Sequence, residues 1–480
     1  MEVSIVSTAL VDITNDLQAF KYVSWVVNAY LLTFTGFLII WAQFSHAIGR
    51  KLFVILAYLI FIAFSGACAG AQTAVQLIVF RAFQGIGGAG VLNMSMVILA
   101  EAVLPAEFPK YTAITSIVYT LAFGLGPLIG GGISNNTTWR WVFWINIPLS
   151  AVPLFLNLLA IPNGFPRHNS GNQSRPPLSS LIKKLDPLGA VLFLALSVML
   201  VTALEGGVVD WSWRSATSIS LLTIAGIVAI VFVVWERFVT LHRGNIVPVM
   251  TWRFTTRKCI GMFMGFFLVS TPTTSIVVQI PERFQVLNHL SPFQAGVRLL
   301  PFIITIPIVG MVGAIVVSRF KIKYTYGLLF GTACQIAGAA LFLQLPNTTH
   351  IDPAEYGYQV LLAIGLGLNN SILSISVPQM VEKDLIPSAL GAGMQFRYLG
   401  AAVGLGVLTA AFNGYIQPQL TSLLGPDEAS RILHSTQVVS QLSPAVQSTV
   451  QEIFGVAFNL QWKALLGFIS AEVVAALLMY

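Results

Sequence analysis

The sequence predicts an all-α protein of the lipid bilayer, and three observations predict it. Of its 480 residues, 56% are hydrophobic and only 9% are charged, against about 25% charged in an ordinary soluble domain. Apolar runs of about 20 residues, the length that crosses a hydrocarbon core as a helix, recur along nearly the whole chain. The cations, finally, are divided unevenly between alternate loops, as in proteins that obey the positive-inside rule.

Runs bounded by Pro, Gly and charge place the first six spans at 1–14, 22–44, 52–71, 75–100, 110–133 and 140–162. A polar, Pro- and Ser-rich loop follows, then spans at 187–205 and 215–235 and a second, basic loop. The remaining six fall at 258–280, 293–317, 323–345, 354–380, 389–415 and 463–480. The organisation expected is an N-terminal six-span bundle over 1–162, loops and two extra central spans over 163–257, and a C-terminal six-span bundle over 258–480 with a long outer loop at 416–462.

With Arg50 and Lys51 in the cytoplasm, the loops on that side hold sixteen Lys and Arg and the opposite loops hold six. The net charge of +7 is therefore a mark of topology and does not point to nucleic acid. The first span is short, about 18 Å of helix against a core of roughly 30 Å. The last span stops at Tyr480 with no cation after it. From these two ends the sequence predicts either a chain shortened at both termini, the favoured expectation, or a bilayer that thins locally at both places.

Cys68, Cys259 and Cys334 lie in or beside spans and read as small apolar filler, so no disulfide framework is expected. No metal-ligand spacing and no phosphate-binding Gly-x-x-x-x-Gly-Lys-Ser/Thr loop occurs, which leaves no cofactor, no metal and no ATP coupling to propose. Ser, His and Asp, or paired carboxylates, do not converge within the spans, so an enzyme is not expected.

Chemistry inside the spans is sparse and therefore informative. The segment Phe123-Gly-Leu-Gly-Pro-Leu-Ile-Gly-Gly-Gly132 puts helix breakers in mid-span. In lipid, Gly126 and Gly130, four apart, let two helix backbones approach closely, and Pro127 loosens the helix between them. Gly400, Gly404 and Gly406 repeat the pattern in the thirteenth span, as an internal repeat would. Arg81 stands inside the fourth span, where a charge either faces a cavity or partner or snorkels to the interface. Glu2 is either an intramembrane carboxyl able to carry a proton or an exposed end.

Trp25, Asn28 and Tyr30 in the second span, Gln84 in the fourth, Asn369 and Asn370 in the twelfth and Arg397 in the thirteenth are candidates to line a substrate path. Glu472 in the last span is a secondary candidate for a proton site. Trp139, Trp141 and Trp144 read as interfacial anchors.

These motifs together resemble the drug:proton antiporters of the major facilitator superfamily, in their fourteen-span branch. The stretch from Ala113 to Gly131 is similar to the antiporter motif: Gly126, Pro127, Gly130 and Gly131 match, while Ala113 and Ala122 stand where the motif has glycines. Phe80-Arg81-Ala82-Phe83-Gln84-Gly85-Ile86-Gly87-Gly88 resembles the fourth-span motif, whose Arg serves proton transfer or substrate contact. Thr8-Ala9-Leu10-Val11 with Asp16-Leu17 resembles the first-span motif, with Val11 in place of Pro. The cytoplasmic signature from Ala42 to Gly49, Arg50 and Lys51 also matches, except that His46 occupies the place of an Asp that latches the two halves.

The resemblance implies a major facilitator fold: two six-helix bundles plus two extra central spans, with proton-coupled efflux by alternating access. Its implied partners are the proton, a small-molecule amphipathic substrate and the lipid bilayer. The overall texture, Lys183-Lys-Leu-Asp-Pro-Leu-Gly189 included, looks most like fungal pumps that export toxins, drugs or secondary metabolites. His46 leaves a retuned, a compensated and a decayed pump open. A proton-coupled importer, for example of iron-siderophore chelates, is the other expectation of this scaffold. The plasma membrane is favoured over the vacuolar membrane.

Overall fold

The computed structural model describes residues 2–103, 125–162, 186–209, 214–242, 248–345, 351–382, 385–434 and 442–480, with isolated residues between them. Among these, all regular structure is helical. Ala113 and most of the first part of the fifth predicted span lie outside the described residues.

The first half holds α1 (Glu2–Asp16), α2 (Val23–Ile48), α3 (Arg50–Ala69), α4 (Ala74–Ala102), α5 (residues 125–136) and α6 (Trp141–Ala160). Two further helices follow, α7 (Pro187–Val209) and α8 (Ala216–His242). The second half holds α9 (Arg257–Val286), α10 (Pro292–Arg298, continued as Leu300–Arg319), α11 (Tyr324–Phe342), α12 (Ala354–Met380) and α13 (Ile386–Leu424). A short α14 (Pro426–His434) and a long α15 (Pro444–Leu478) complete it. Eleven of the helices, among the described residues, are long and apolar enough to cross a membrane.

Local chemistry sets several boundaries. Thr73 caps α4 by accepting the Gln76 amide, and Ser291 opens α10 with a capping box closed by Gln294 and a proline at its first turn. Gly49 separates α2 from α3 at φ +136°, a backbone that L side chains rarely adopt.

Each half has its own apolar core. In the first, Leu10, Val27, Ala57, Leu77 and Phe143 meet between α1, α2, α3, α4 and α6. In the second, Phe263, Phe302, Leu366 and Leu465 meet between α9, α10, α12 and α15. The extra helices α7 and α8 add Phe193 and Phe232 to the first core. Between the halves, α2 packs on α13, where the rings of Phe34 and Tyr398 lie 4.5 Å apart, and α1 packs on α9.

One expectation is corrected. The stretch 416–462 is not a long loop, and the last span does not begin at 463: α13 runs 39 residues to Leu424, α14 follows, and α15 starts at Pro444 and runs 35 residues. Gln417, Gln447, Gln451 and Glu452 interrupt the apolar pattern there. A helix that projects past the lipid needs no continuous apolar run, because its polar face is solvated. At 1.5 Å per residue α13 extends about 58 Å, nearly twice the hydrocarbon core. The projecting ends build a third core, in which Phe412, Ile416, Ile432, Phe454 and Phe458 pack on Phe20 and Leu287.

Candidate functional site

Arg81 is fully buried, and it does not snorkel. Its Nη1 donates to Glu2 Oε1 at 2.7 Å and to Gln84 Oε1 at 2.7 Å, and its Nε donates to the Val26 carbonyl at 3.0 Å. Gln84 Nε2 in turn donates to Glu2 Oε1 at 2.9 Å and to Ser65 Oγ at 2.8 Å. Asn146 Nδ2 donates to the other carboxylate oxygen, Oε2, at 2.9 Å. The rings of Tyr30 and Phe143 flank the guanidinium, with centroids 4.4 and 5.7 Å from Cζ.

Five helices thus converge on one carboxylate–guanidinium pair in a setting of low dielectric. A charge-assisted pair of this kind persists only because several neutral donors and π faces replace lost water. Arg81 Nη2 is left with no hydrogen-bond partner, a donor available to a third party.

The glycines of the fourth-span motif seat α4 against α2. A Cβ at Gly85 would fall 2.4 Å from the Tyr30 carbonyl oxygen, and one at Gly88 would fall 2.4 Å from the Tyr30 hydroxyl. The motif therefore fixes both the helix approach and the ring that covers Arg81. Asn146 and Ser65 escaped the sequence reading. The available signal for Asn146 was a lone amide within an apolar run.

The same helix α1 meets the glycine seam through another face. A Cβ at Gly126 would fall 2.1 Å from Ser4 Oγ, and one at Gly130 would fall 2.0 Å from the Ile5 carbonyl oxygen. Thr8 Oγ1 donates to the Pro127 carbonyl at 3.3 Å, shared with the Ile5 carbonyl at the same distance. Gly131 faces the other half: a Cβ there would fall 2.5 Å from the Pro292 carbonyl oxygen of α10. Gln285 Nε2 of α9 donates to the Thr8 carbonyl at 3.1 Å. Here α1, α5, α9 and α10 come together, joining the two halves.

Other candidates are distributed. Trp25 is half-buried beside the first core, and Asn28 is fully buried. Asn370 is part-buried and donates to the Leu366 carbonyl at 3.0 Å, whereas its neighbour Asn369 donates to Glu472 Oε2 at 2.8 Å. Arg397 has no partner for Nε or Nη2, and its Cζ lies 5.3 Å from the Phe266 ring centroid. Ser275, Gln279 and Glu282 of α9, at helical spacings of four and three, are buried together on one face, a polar stripe the sequence reading missed. At the cytoplasmic signature, buried Arg50 donates to Ser45 Oγ at 2.6 Å, and Lys51 is half-buried. His46 lies in the last turn of α2, and its side chain is outside the described residues.

Two bundles joined by such seams, with a buried ion pair between helices, define a membrane transporter. The family model of the Major Facilitator Superfamily matches residues 1–405, and the chain belongs to that superfamily. It is 35% identical to the MFS-type transporter FPY5 of Fusarium mangiferae, over 100% of this chain and 81% of that one. It is 30% identical to the efflux pump mlcE of Penicillium citrinum, over 84% of this chain and 72% of that one. Among solved structures it resembles a bacterial homologue of the human lysosomal transporter Spinster, inward-facing and occupied, with a TM-score of 0.62 at 13% identity over 100% of this chain and 92% of that one. It also resembles a D-xylose–proton symporter, with a TM-score of 0.55 at 12% identity over 100% and 93% of the two chains.

Proposed function

We propose that this transporter exports small amphipathic compounds, such as drugs, a toxin or a secondary metabolite, in exchange for protons. The two halves rock about the α1–α5–α9–α10 contact, so that a central path opens to one side at a time. The observation that carries this reading is α1 itself. One face presents Glu2 to Arg81, and another presents Ser4, Ile5 and Thr8 to the glycines of α5.

Protonation of Glu2 removes the negative charge that Arg81 answers, so a proton arriving there weakens the pair and frees α1 to shift. Because α1 also forms the seam, the shift is felt at the contact between the halves. Arg81 Nη2 and Arg397, each with unpartnered donors, offer polar contacts to a substrate in an otherwise apolar path. Relatives named as efflux pumps support the direction of transport. Export to the outside favours the plasma membrane over the vacuolar membrane.

The test uses intact cells that express the full chain, loaded with a panel of amphipathic dyes led by ethidium. Energised cells are expected to extrude at least one dye, and a protonophore is expected to stop them. Extrusion that continues at the same rate after the gradient collapses, or net uptake in place of extrusion, contradicts the proposal.

A further inference from the structure

Glu472 takes no part in the site above, yet it is 3% exposed on α15, deep in the C-terminal bundle. Its Oε2 accepts three hydrogen bonds: from Asn369 Nδ2 of α12 at 2.8 Å, from Gln335 Nε2 of α11 at 2.9 Å and from Thr332 Oγ1 of α11 at 3.3 Å. Asn369 Nδ2 also donates to Thr332 Oγ1 at 3.0 Å. Two glycines clear the space for this cage. A Cβ at Gly331 would fall 2.2 Å from Asn369 Oδ1, and one at Gly365 would fall 2.2 Å from the Gly331 carbonyl oxygen.

The cage has a one-sided deficit. Glu472 Oε1, Asn369 Oδ1 and Gln335 Oε1 are all buried without a partner, and all three are acceptors. What the cluster lacks is a donor hydrogen. No ion pair among the described residues involves Glu472, so no cation supplies one.

We propose that Glu472 is a second proton-binding site, which takes a proton on its carboxylate and releases it during the transport cycle. Binding forms one O–H bond and neutralises the carboxylate; release breaks that bond and restores the charge. The amides suit both forms. Turned by half a turn, Asn369 or Gln335 presents its carbonyl in place of its NH2 and accepts from the new O–H. An arginine has only donors and cannot do this, so the Glu2 site and the Glu472 site differ in kind.

The ligand is a proton and not a metal ion. The cavity beside Glu472, lined by Val269, Leu328, Leu373, Ala475 and Met479, measures about 10 Å³, at the lower limit of what holds one water. Its lining is largely apolar, whereas a hard cation calls for six or more oxygen ligands.

Other ionisable groups on the surrounding helices do not contact it. They are Arg257, Lys258, Cys259, Glu282 and Arg283 at the ends of α9; Tyr324, Tyr326 and Cys334 on α11; and Glu355, Tyr356 and Tyr358 at the start of α12. Arg397, Tyr398 and Tyr415 on α13, and Glu452, Lys463 and Tyr480 on or beside α15, complete the set. The side-chain hydrogen bonds to its carboxylate come from Thr332, Gln335 and Asn369.

The inference rests on the proton-coupled reading, but its test reads the proton and not transport. Infrared difference spectra between acidic and alkaline buffer are recorded on the purified full chain, wild type, Glu472→Gln and Glu2→Gln. A carboxylic C=O band is expected that Glu2→Gln retains and Glu472→Gln loses. Unchanged spectra in Glu472→Gln overturn the proposal, even if the protein pumps. Where Glu472→Gln does not fold, Asn369→Ala replaces it: removing that donor is expected to shift the band, and an unmoved band overturns the proposal. A chain that transports without a proton gradient defeats the coupled reading while leaving the band in place, so the two failures are distinct.

Discussion

Glu2 and Glu472 are both carboxylates held inside a helical bundle, and their surroundings could hardly differ more. Glu2 meets a guanidinium at 2.7 Å and two amide donors. Glu472 meets two amides and a hydroxyl, with no charged partner. An ion pair stores electrostatic energy that vanishes when the acid is neutralised; an amide cage tolerates either state. Under the proton-coupled proposal, the difference implies that the first half would change shape on protonation and the second would accept a proton with little rearrangement.

A second comparison reinforces the first. The α5 seam against α1 has a counterpart in α13 against α9, where a Cβ at Gly400 would fall 2.0 Å from the Phe267 carbonyl oxygen. Thr271 Oγ1 donates to the Gly400 carbonyl at 2.9 Å, as Thr8 Oγ1 does to Pro127. Corresponding helices of the two halves thus use one device, a glycine approach with a threonine bridge. Each copy has a proline at the bridge: Pro127 of α5 is the acceptor itself, and Pro272 of α9 directly follows the donor Thr271.

The largest effect is expected from Arg81→Ala. It strands the largely buried Glu2 carboxylate, whose side chain is 12% exposed, and loss of one partner of a buried pair costs about 3–5 kcal/mol. A marked drop in thermal unfolding temperature in detergent and complete loss of dye export are expected; unchanged melting would break the contrast with Glu472. Next come Gly130→Ala and Gly400→Ala, each directed at a backbone carbonyl 2.0 Å away. Overpacking at about 1–3 kcal/mol, with strongly reduced export, is expected of both. Gly404→Ala is expected to be of similar size, because its nearest atoms include the Thr271 Cβ at 2.7 Å, which rotation does not move, and turning the rest of that side chain breaks its bond to Gly400.

Glu472→Gln keeps the shape of the cage. Stability is expected to change by about 1 kcal/mol in either direction, while the number of protons exchanged per dye molecule falls. The smallest effect is expected from His46→Asp, which places a negative charge in the last turn of α2. Export rate, measured across neutral pH, is expected to change modestly with no change in melting.

Much of this was legible in the sequence. The spans were written in apolar runs, and Arg81, Gln84 and the α5 glycines stood out because charge, amide and helix breakers are costly in lipid. The pairing of Glu2 with Arg81 needed the fold, since 79 residues separate them. The outer ends of α13 and α15 were illegible because an amphipathic helix carries no continuous apolar run. Thr332 and Gln335 were hidden for another reason: a single hydroxyl or amide in a span has no pattern until Glu472 and Asn369 are placed beside it.

The most direct measurement of the central claim uses proteoliposomes of the purified full chain with a trapped pH indicator. They are preloaded with whichever dye of the panel the cells extrude. As dye leaves down its own gradient, exchange predicts that the lumen acidifies, and that Glu2→Gln abolishes the acidification. Dye efflux with no change in lumenal pH, or with alkalinisation, would contradict the account.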